Sequence, residues 1–401
     1  MRWRLAGLLL WCLCAGPVAA QYDPEVRALI HRGQRHNFEG DFAAADAVWA
    51  RLRGLDPAAA ALYEVSTLWW RISLDDRVTT YDDAIRARSQ EAIRLAKARV
   101  ARDPDDAVAH LYWGQALVHI GRLEGTRGNY LTAGARGEEG REHLERVLEL
   151  RPDMVDAKYP VGLYYFYAST VPDVLQWLSW LWFVPSGDRE TGLRYIQEVR
   201  EKGDLNKLQA DFIMLNIYTY HEKDDDKAVE LAHDLHKRFP NSSFFHFEFL
   251  EVLYDADHYG AVAKQARLLE AHPGTSPLDD GRKSMARVWR ARAELQLGRP
   301  GEAWRTLESF GLGGPDWPWW GSAWVTLTRG RILDACGDRS GALVEYDRVR
   351  SLKTPRRSKR AARNAAKAQF KPFRPRKRLV EPADGGSACS GVGRVGSLSR
   401  P

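Results

Sequence analysis

Hydrophobic positions recur along most of the chain with the spacing of an α-helix. In residues 41–57, DFAAADAVWARLRGLDP, the side chains of Val48, Trp49 and Leu52 fall on one side of a helix. Residues 338–355, DRSGALVEYDRVRSLKTP, follow the same plan. Such segments predict amphipathic helices that bury one face.

A small residue followed at a fixed distance by a proline is the second recurring pattern. The spacing is twelve residues in Ala45/Pro57, Ala92/Pro104, Gly140/Pro152, Ala228/Pro240, Ala261/Pro273 and Ala303/Pro315. Gly33 and Gly330 precede Ala45 and Ala342 by the same twelve positions. Small side chains let two helices cross closely, and a proline cannot continue a helix interior. We therefore predict helical hairpins joined by proline-containing turns.

The chain resembles the tetratricopeptide repeat (TPR) superfamily. The residues that carry the resemblance are Gly33, Ala45, Trp49 and Pro57 in the first unit and Gly330, Ala342 and Tyr346 in the last. The resemblance implies an all-α fold over residues 21–355, a right-handed solenoid of about eight antiparallel helix hairpins with insertions. The second helices are expected near residues 41–54, 82–102, 138–150, 188–201, 225–238, 259–271, 301–310 and 339–351.

Two units depart from the pattern. Unit two lacks the glycine of the first helix, and Thr67 is its nearest equivalent. Unit four has Gly192, but Asp204 stands where the proline is expected.

Three units are longer than the rest, and solenoids accept insertions on one face because only neighbouring repeats touch. A glycine-rich stretch lies between Gly114 and Gly140, and a second surplus spans residues 311–324. The third, VPDVLQWLSWLWFVPSGD at 171–188, is the most apolar. Its twelve residues between two prolines would rise about 18 Å as a helix, too short to cross a bilayer.

The tryptophans of these insertions leave three alternatives open. Trp177, Trp180 and Trp182 could pack on neighbouring repeats, anchor a protein partner, or contact lipid, since tryptophan is enriched at binding hot spots and at membrane interfaces. The second cluster is expected to wedge hairpins seven and eight together. It consists of Trp317, Trp319, Trp320 and Trp324.

The first twenty residues have the features of a secretory signal peptide. A basic start, an apolar run at 5–13 and small residues before Gln21 predict cleavage there and export, with no transmembrane span in the mature chain. Two of the four cysteines leave with the signal. A bridge between Cys336 and Cys389 is possible, but we expect a free, buried Cys336.

Basic charge is concentrated near the C-terminus. Residues 353–378 contain twelve Lys or Arg and no acid, which leaves the body acidic. The alanine-rich part, 356–370, is expected to form a capping helix, and 371–401 a disordered tail. The basic segment could dock on an anionic surface, whereas the signal peptide disfavours nucleic-acid binding.

No constellation of reactive side chains predicts an enzyme, and no cofactor is implied. His233 and His236 lie at helical i, i+3 spacing, but without a third ligand they do not predict a metal site.

We therefore expect a non-enzymatic, exported scaffold in the periplasm or outside the cell. It would bind a protein or peptide through its concave groove and its tryptophan-rich insertion. The alternative is a small-molecule or lipid-binding component of a transport or envelope system. In addition to the three insertion tryptophans, the candidate contacts on first helices are Tyr112, Tyr164, Tyr165, Asn216, Tyr220, His246 and Glu248.

Overall fold

The computed structural model describes residues 22–75, 77–169, 188–308, 318, 320–352, 359–370, 373–380 and 387–393. Within these ranges the chain is all-α and contains 17 α-helices and no strand. The predicted signal peptide, Pro315, Trp317, Trp319 and the insertion with Trp177, Trp180 and Trp182 lie outside the described residues.

Sixteen of the helices pair into eight consecutive hairpins, so the prediction of an all-α helical-repeat solenoid is confirmed. The first helices are α1 Pro24–Glu39, α3 Pro57–Arg71, α5 Ala107–Thr126, α7 Lys158–Ser169, α9 Lys207–Ile217, α11 Ser243–Asp255, α13 Pro277–Gln296 and α15 Gly321–Ala335. The second helices are α2 Phe42–Arg53, α4 Asp82–Val100, α6 Tyr130–Leu150, α8 Arg189–Lys202, α10 Asp225–Arg238, α12 Tyr259–Glu270, α14 Pro300–Glu308 and α16 Arg339–Ser351.

Short polar side chains begin most of these helices. An aspartate carboxylate or a serine hydroxyl just before the helix accepts a backbone N–H of the first turn, which would otherwise lack a partner. These N-cap residues are Asp23, Asp41, Asp56, Asp106, Asp188, Ser242, Asp224, Ser276 and Asp338.

The two helices of a hairpin cross where a glycine leaves room. In hairpins one and eight, a Cβ on Gly33 or Gly330 would overlap the buried ring of Trp49 or Tyr346. In hairpin four, Gly162 faces another glycine, and a Cβ there would lie 3.0 Å from the carbonyl oxygen of Gly192. Gly114 and Gly140 form the same kind of pair in hairpin three.

The alanines of the recurring series lie in the core, with one exception. Ala45, Ala92, Ala228, Ala303 and Ala342 are at most 1% exposed. Ala261 is exposed on α12, so its assignment as a crossing residue is wrong. The buried position is the next one, Val262.

The prolines mark the boundaries between hairpins, as the pattern predicts. Pro104, Pro152, Pro240 and Pro273 lie in the turns that follow second helices. Pro57 instead is the first residue of α3, where its fixed φ suits a helix start and no N–H is needed.

The glycine-rich stretch of hairpin three is not a separate insertion. It is taken up by α5 and α6, which are 20 and 21 residues long. Gly121 makes the longer crossing possible, since a Cβ there would lie 3.0 Å from the carbonyl oxygen of Ala133.

The first two hairpins fold back against later ones through a cluster of aromatic rings. The ring of Phe38 lies 5.4 Å from that of Phe239 and 5.1 Å from that of Trp70, which is 4.9 Å from Phe244. The loop after α3 continues the contact, because the Trp320 indole nitrogen donates to the carbonyl of Leu74. Hairpins one and two thus contact hairpins five, six and eight.

A polar contact at the start of α1 also holds the first hairpin against a later part of the solenoid. Asp156 is 1% exposed and accepts the backbone N–H groups of Asp204, Leu205 and Asn206, which shape the turn between hairpins four and five. The carboxylate of Asp204, at the position that lacks a proline, then accepts from Arg27 at 2.7 Å.

The C-terminal helix α17, Lys359–Phe370, covers the last hairpin. Ala361, Ala365 and Ala368 are its buried face, and Arg339 donates to the carbonyl of Ala368.

Residues 373–380 and 387–393, which we name the C-terminal strap, contact the solenoid where composition predicts a disordered tail. Lys377 donates its backbone N–H to the carbonyl of Gln296, Val380 to that of Gly298, and Gly301 to that of Ala388. The amino-acid composition of the strap is typical of a loop. Backbone hydrogen bonds do not require hydrophobic side chains, so the composition gave no indication that the strap is held on the solenoid.

A disulfide joins Cys336 to Cys389, with the two Cα atoms 5.6 Å apart. The expectation of a free Cys336 is wrong, because the strap returns Cys389 to the end of α15. The bridge and the strap hydrogen bonds therefore hold the same segment.

Gly192 provides a test of the close crossings. A Cβ at Gly192 would lie 2.7 Å from the backbone nitrogen of Phe166, which cannot rotate away. We expect Gly192→Ala to lower the free energy of unfolding by about 1–3 kcal/mol in urea titrations. The matched control is Gly260→Ala, which has nothing within 4 Å and should be neutral or stabilising, since alanine favours helices. Equal effects of the two changes would contradict this account of the crossing.

Gly298 provides a test of the strap. Gly298 and Gly337 both have a positive φ, 80° and 83°, so an alanine at either position strains the backbone. Only a Cβ on Gly298 would also overlap the strap, at the carbonyl of Arg378. We expect Gly298→Ala to accelerate tryptic cleavage after Lys377, followed by mass spectrometry, and Gly337→Ala to leave it at the wild-type rate. Equal rates in both variants would mean that the strap is not seated on Gly298.

Candidate functional site

First helices of hairpins two to four contribute an aromatic surface around one arginine. We name it the inner surface and define it as Trp69 of α3, His119 and Arg122 of α5, and Tyr159 and Tyr167 of α7. The guanidinium carbon of Arg122 lies 3.9 Å from the centre of the Trp69 ring, a cation–π contact. The surface therefore combines a fixed positive charge with aromatic walls.

The side chain of Arg122 is exposed to solvent, yet the surrounding protein partly desolvates it and lowers its pKa. Both observations fit a side chain within a concavity, where protein atoms surround the group and still leave a path to solvent. Among the described residues, the ionisable groups whose charge would act on Arg122 are Tyr159 and Tyr167, and no carboxylate of that part of the chain does so.

The neighbours of Arg122 stay neutral near pH 7. Burial, helped by the charge of Arg122, lowers the pKa of His119 to about 3. Burial raises the pKa of Tyr159 and of Tyr167 above its ordinary value. One imidazole and two phenol groups therefore lie around a single cation.

First helices of hairpins six to eight form a second aromatic cluster that is closed to solvent. Arg292 is 5% exposed, and its guanidinium carbon lies 4.0–4.3 Å from the ring centres of Tyr254, Trp289 and Trp324. Trp320 packs on Trp289, so the prediction that Trp320 and Trp324 wedge hairpins seven and eight is confirmed. This cluster is a packing core.

The predicted groove residues do not form one surface. Tyr112 and His246 are buried, at 1% and 5% exposure, and contribute to packing, which leaves them inaccessible to a partner. Tyr164 and Tyr165 point toward the second helix of the preceding hairpin, where their hydroxyls donate to Glu138 and Glu145.

The remaining candidates lie on α9, α11 and the π-helical turn 218–222. Asn216 donates its amide to the carbonyl of Phe212, and Glu248 is half-buried. Tyr220 is 53% exposed, and the next residue, His221, packs on Phe166. Tyr220 is thus the most accessible of the candidates that the structure describes.

The sequence reasoning missed Trp69, His119, Arg122, Tyr159 and Tyr167. A signal for two of them was present, because His119 and Tyr167 each follow a crossing glycine, Gly114 and Gly162, by five positions. That offset turns a helical side chain away from the crossing.

Within the described part of the chain, no three His, Cys, Asp or Glu side chains converge as metal ligands, and no helix is long and apolar enough to cross a membrane. His236 instead stacks on His246, with ring centres 4.3 Å apart. The described residues include two open clefts. The larger, of about 340 Å³, is lined mainly by polar and charged side chains between α8 and α10, and the smaller, of about 210 Å³, lies beside Tyr259.

Comparisons with known proteins find similarity to solved structures at low sequence identity. No family model matches the sequence, and no curated protein matches it. The crystal structure of yeast Tom70 is similar with a TM-score of 0.38 and 14% identity, over 87% of this chain and 82% of that chain. A tetratricopeptide repeat protein from Parabacteroides merdae is similar with a TM-score of 0.26 and 12% identity, over 86% and 100%. Both scores are below 0.5, so the helical-repeat architecture is argued from the hairpins and crossing residues alone.

His246 predicts a loss of stability in acid. Burial and repulsion from His236 lower the pKa of His246 to about 4, whereas a histidine in the unfolded chain titrates near 6.5. Between these values the unfolded chain binds more protons, so the free energy of unfolding falls as the pH drops from about 7 to about 4.

Urea titrations at about pH 7.5 and pH 5 measure this effect. The loss on acidification should be smaller in His246→Gln than in the wild type. The exposed His258 provides the control, since His258→Gln should keep the full loss. An unchanged pH dependence in His246→Gln would contradict the assignment.

Proposed function

We propose that the protein is an exported, non-enzymatic scaffold that binds a protein or peptide partner through the inner surface and the tryptophan-rich insertion. The solenoid supplies a rigid frame on which aromatic side chains of successive first helices act together. Partner binding then needs no reactive group, only a shaped and partly apolar surface.

The observation that carries the proposal is an exposed tyrosine, Tyr167, beside an exposed arginine, Arg122, on adjoining hairpins. Tyr167 is 41% exposed, and its ring lies beside that of His221 in the next hairpin. Aromatic and arginine side chains together are typical of binding hot spots. In the sequence, the insertion follows directly after α7, the helix that bears Tyr167.

Export is supported by two independent features. The N-terminal twenty residues have the composition of a signal peptide. The Cys336–Cys389 disulfide is typical of proteins that work in an oxidising compartment.

A photocrosslinking experiment tests the proposal. A benzophenone amino acid replaces Tyr167 on the inner surface, or Val344 on α16, which is 59% exposed and distant in the chain. In the native compartment we expect Tyr167-specific adducts of defined mass with a partner protein. Replacing residues 172–185 with a glycine-serine linker should reduce their yield. Identical adducts from both positions would contradict the proposal.

A further inference from the structure

We propose that the inner surface binds an acidic segment of a protein partner, with an aspartate or glutamate carboxylate on the guanidinium of Arg122. The inference rests on the proposed function and adds the chemical class of the partner. It follows from how Arg122 is held, which groups surround it, and how it differs from the other stacked arginine.

Among the residues that the structure describes, Arg122 has no carboxylate partner, whereas neighbouring arginines do. In the same region Arg127 bonds to Asp82, Arg86 to Glu124, and Arg99 to Asp106, at distances of 2.6–3.0 Å. Within the described residues, Arg122 has neither an ion pair nor a side-chain hydrogen bond. An arginine that is partly desolvated and unpaired gains more from an added anion than one that is already neutralised.

The contact with Trp69 uses none of the hydrogen-bond donors of Arg122, and no described residue accepts a hydrogen bond from its side chain. The Trp69 ring covers a face of the guanidinium, and N–H donors of the group point outward in its plane. Two parallel N–H groups match the two oxygens of a carboxylate. The aromatic ring thus fixes the orientation of the cation without using its donors.

The surroundings favour one negative charge rather than several. His119, Tyr159 and Tyr167 are neutral near pH 7, and the phenol groups keep their protons because burial raises their pKa. A single cation balances a single carboxylate. The exposed ring of Tyr167 provides apolar contact for a side chain that flanks an acidic residue in a peptide.

Arg292 shows what a purely structural stacked arginine looks like in this fold. Three aromatic rings surround it, and it is 5% exposed. Arg122 has one ring beneath it and remains exposed. The contrast assigns packing to Arg292 and ligand contact to Arg122.

A random dodecapeptide library displayed on phage tests the inference on the mature protein. It is selected on the wild type and on Arg122→Gln, Arg122→Lys and Arg305→Gln. The exposed Arg305 on α14 is the charge-matched control, because Arg305→Gln changes the net charge equally on another hairpin. Thermal unfolding of each variant checks that the fold is retained.

We expect wild type and Arg305→Gln to select peptides enriched in Asp and Glu, and Arg122→Gln to lose the enrichment. A selected peptide should bind Arg122→Gln about tenfold more weakly or worse, and its Asn/Gln counterpart should lose affinity similarly. Arg122→Lys should give intermediate affinity, because the charge stays and the planar donor pair is lost.

Other outcomes separate the inference from the proposed function. Peptides selected without acidic enrichment, or equally well by Arg122→Gln, would overturn the acidic partner and leave the scaffold function standing. If no peptide is selected above background but the Tyr167 photocrosslinks form, the short acidic segment is overturned alone. Failure of both experiments overturns the inner surface as a binding site.

Discussion

The aromatic contact between the first two hairpins and the later ones is the constraint on which the rest of the structure depends. Phe38 and Trp70 meet Phe239 and Phe244 across roughly 170 to 200 residues of sequence. A solenoid in which only neighbours touch would expose its whole inner face. Here the contact folds that face onto itself, so part of it becomes core. Burying these rings yields a large hydrophobic contribution, since each aromatic side chain removes 150–250 Å² from water.

As a consequence, two arginine–aromatic clusters of similar chemistry differ in their exposure to solvent. In hairpins six to eight, Trp289, Trp320 and Arg292 are buried, and the loop after α3 covers Trp320. In hairpins two to four, Arg122 remains exposed above Trp69. The closed cluster packs adjoining hairpins together, and the cation of the open one stays exposed. The C-terminal strap and its disulfide contact the last two hairpins.

Much of the fold could be predicted because its signals are local. Gly33 and Trp49, or Gly330 and Tyr346, are sixteen residues apart and meet within one hairpin. The errors came where the signal was ambiguous or nonlocal. Ala261 satisfied the spacing but is exposed next to the buried Val262. The strap has the composition of a disordered tail, yet it is held by backbone hydrogen bonds and by Cys389, whose partner is 53 residues away.

The sequence by itself determined the helices, the hairpins and their order, because helical periodicity, N-caps and close crossings act within some thirty residues of chain. Only the tertiary structure decided which aromatic side chains are core and which remain accessible. Tyr112 and Tyr167 both lie on first helices, but one is buried and the other exposed. That difference depends on which distant hairpin packs against each helix. Such long-range packing follows from the shape of the whole superhelix, which no local pattern encodes.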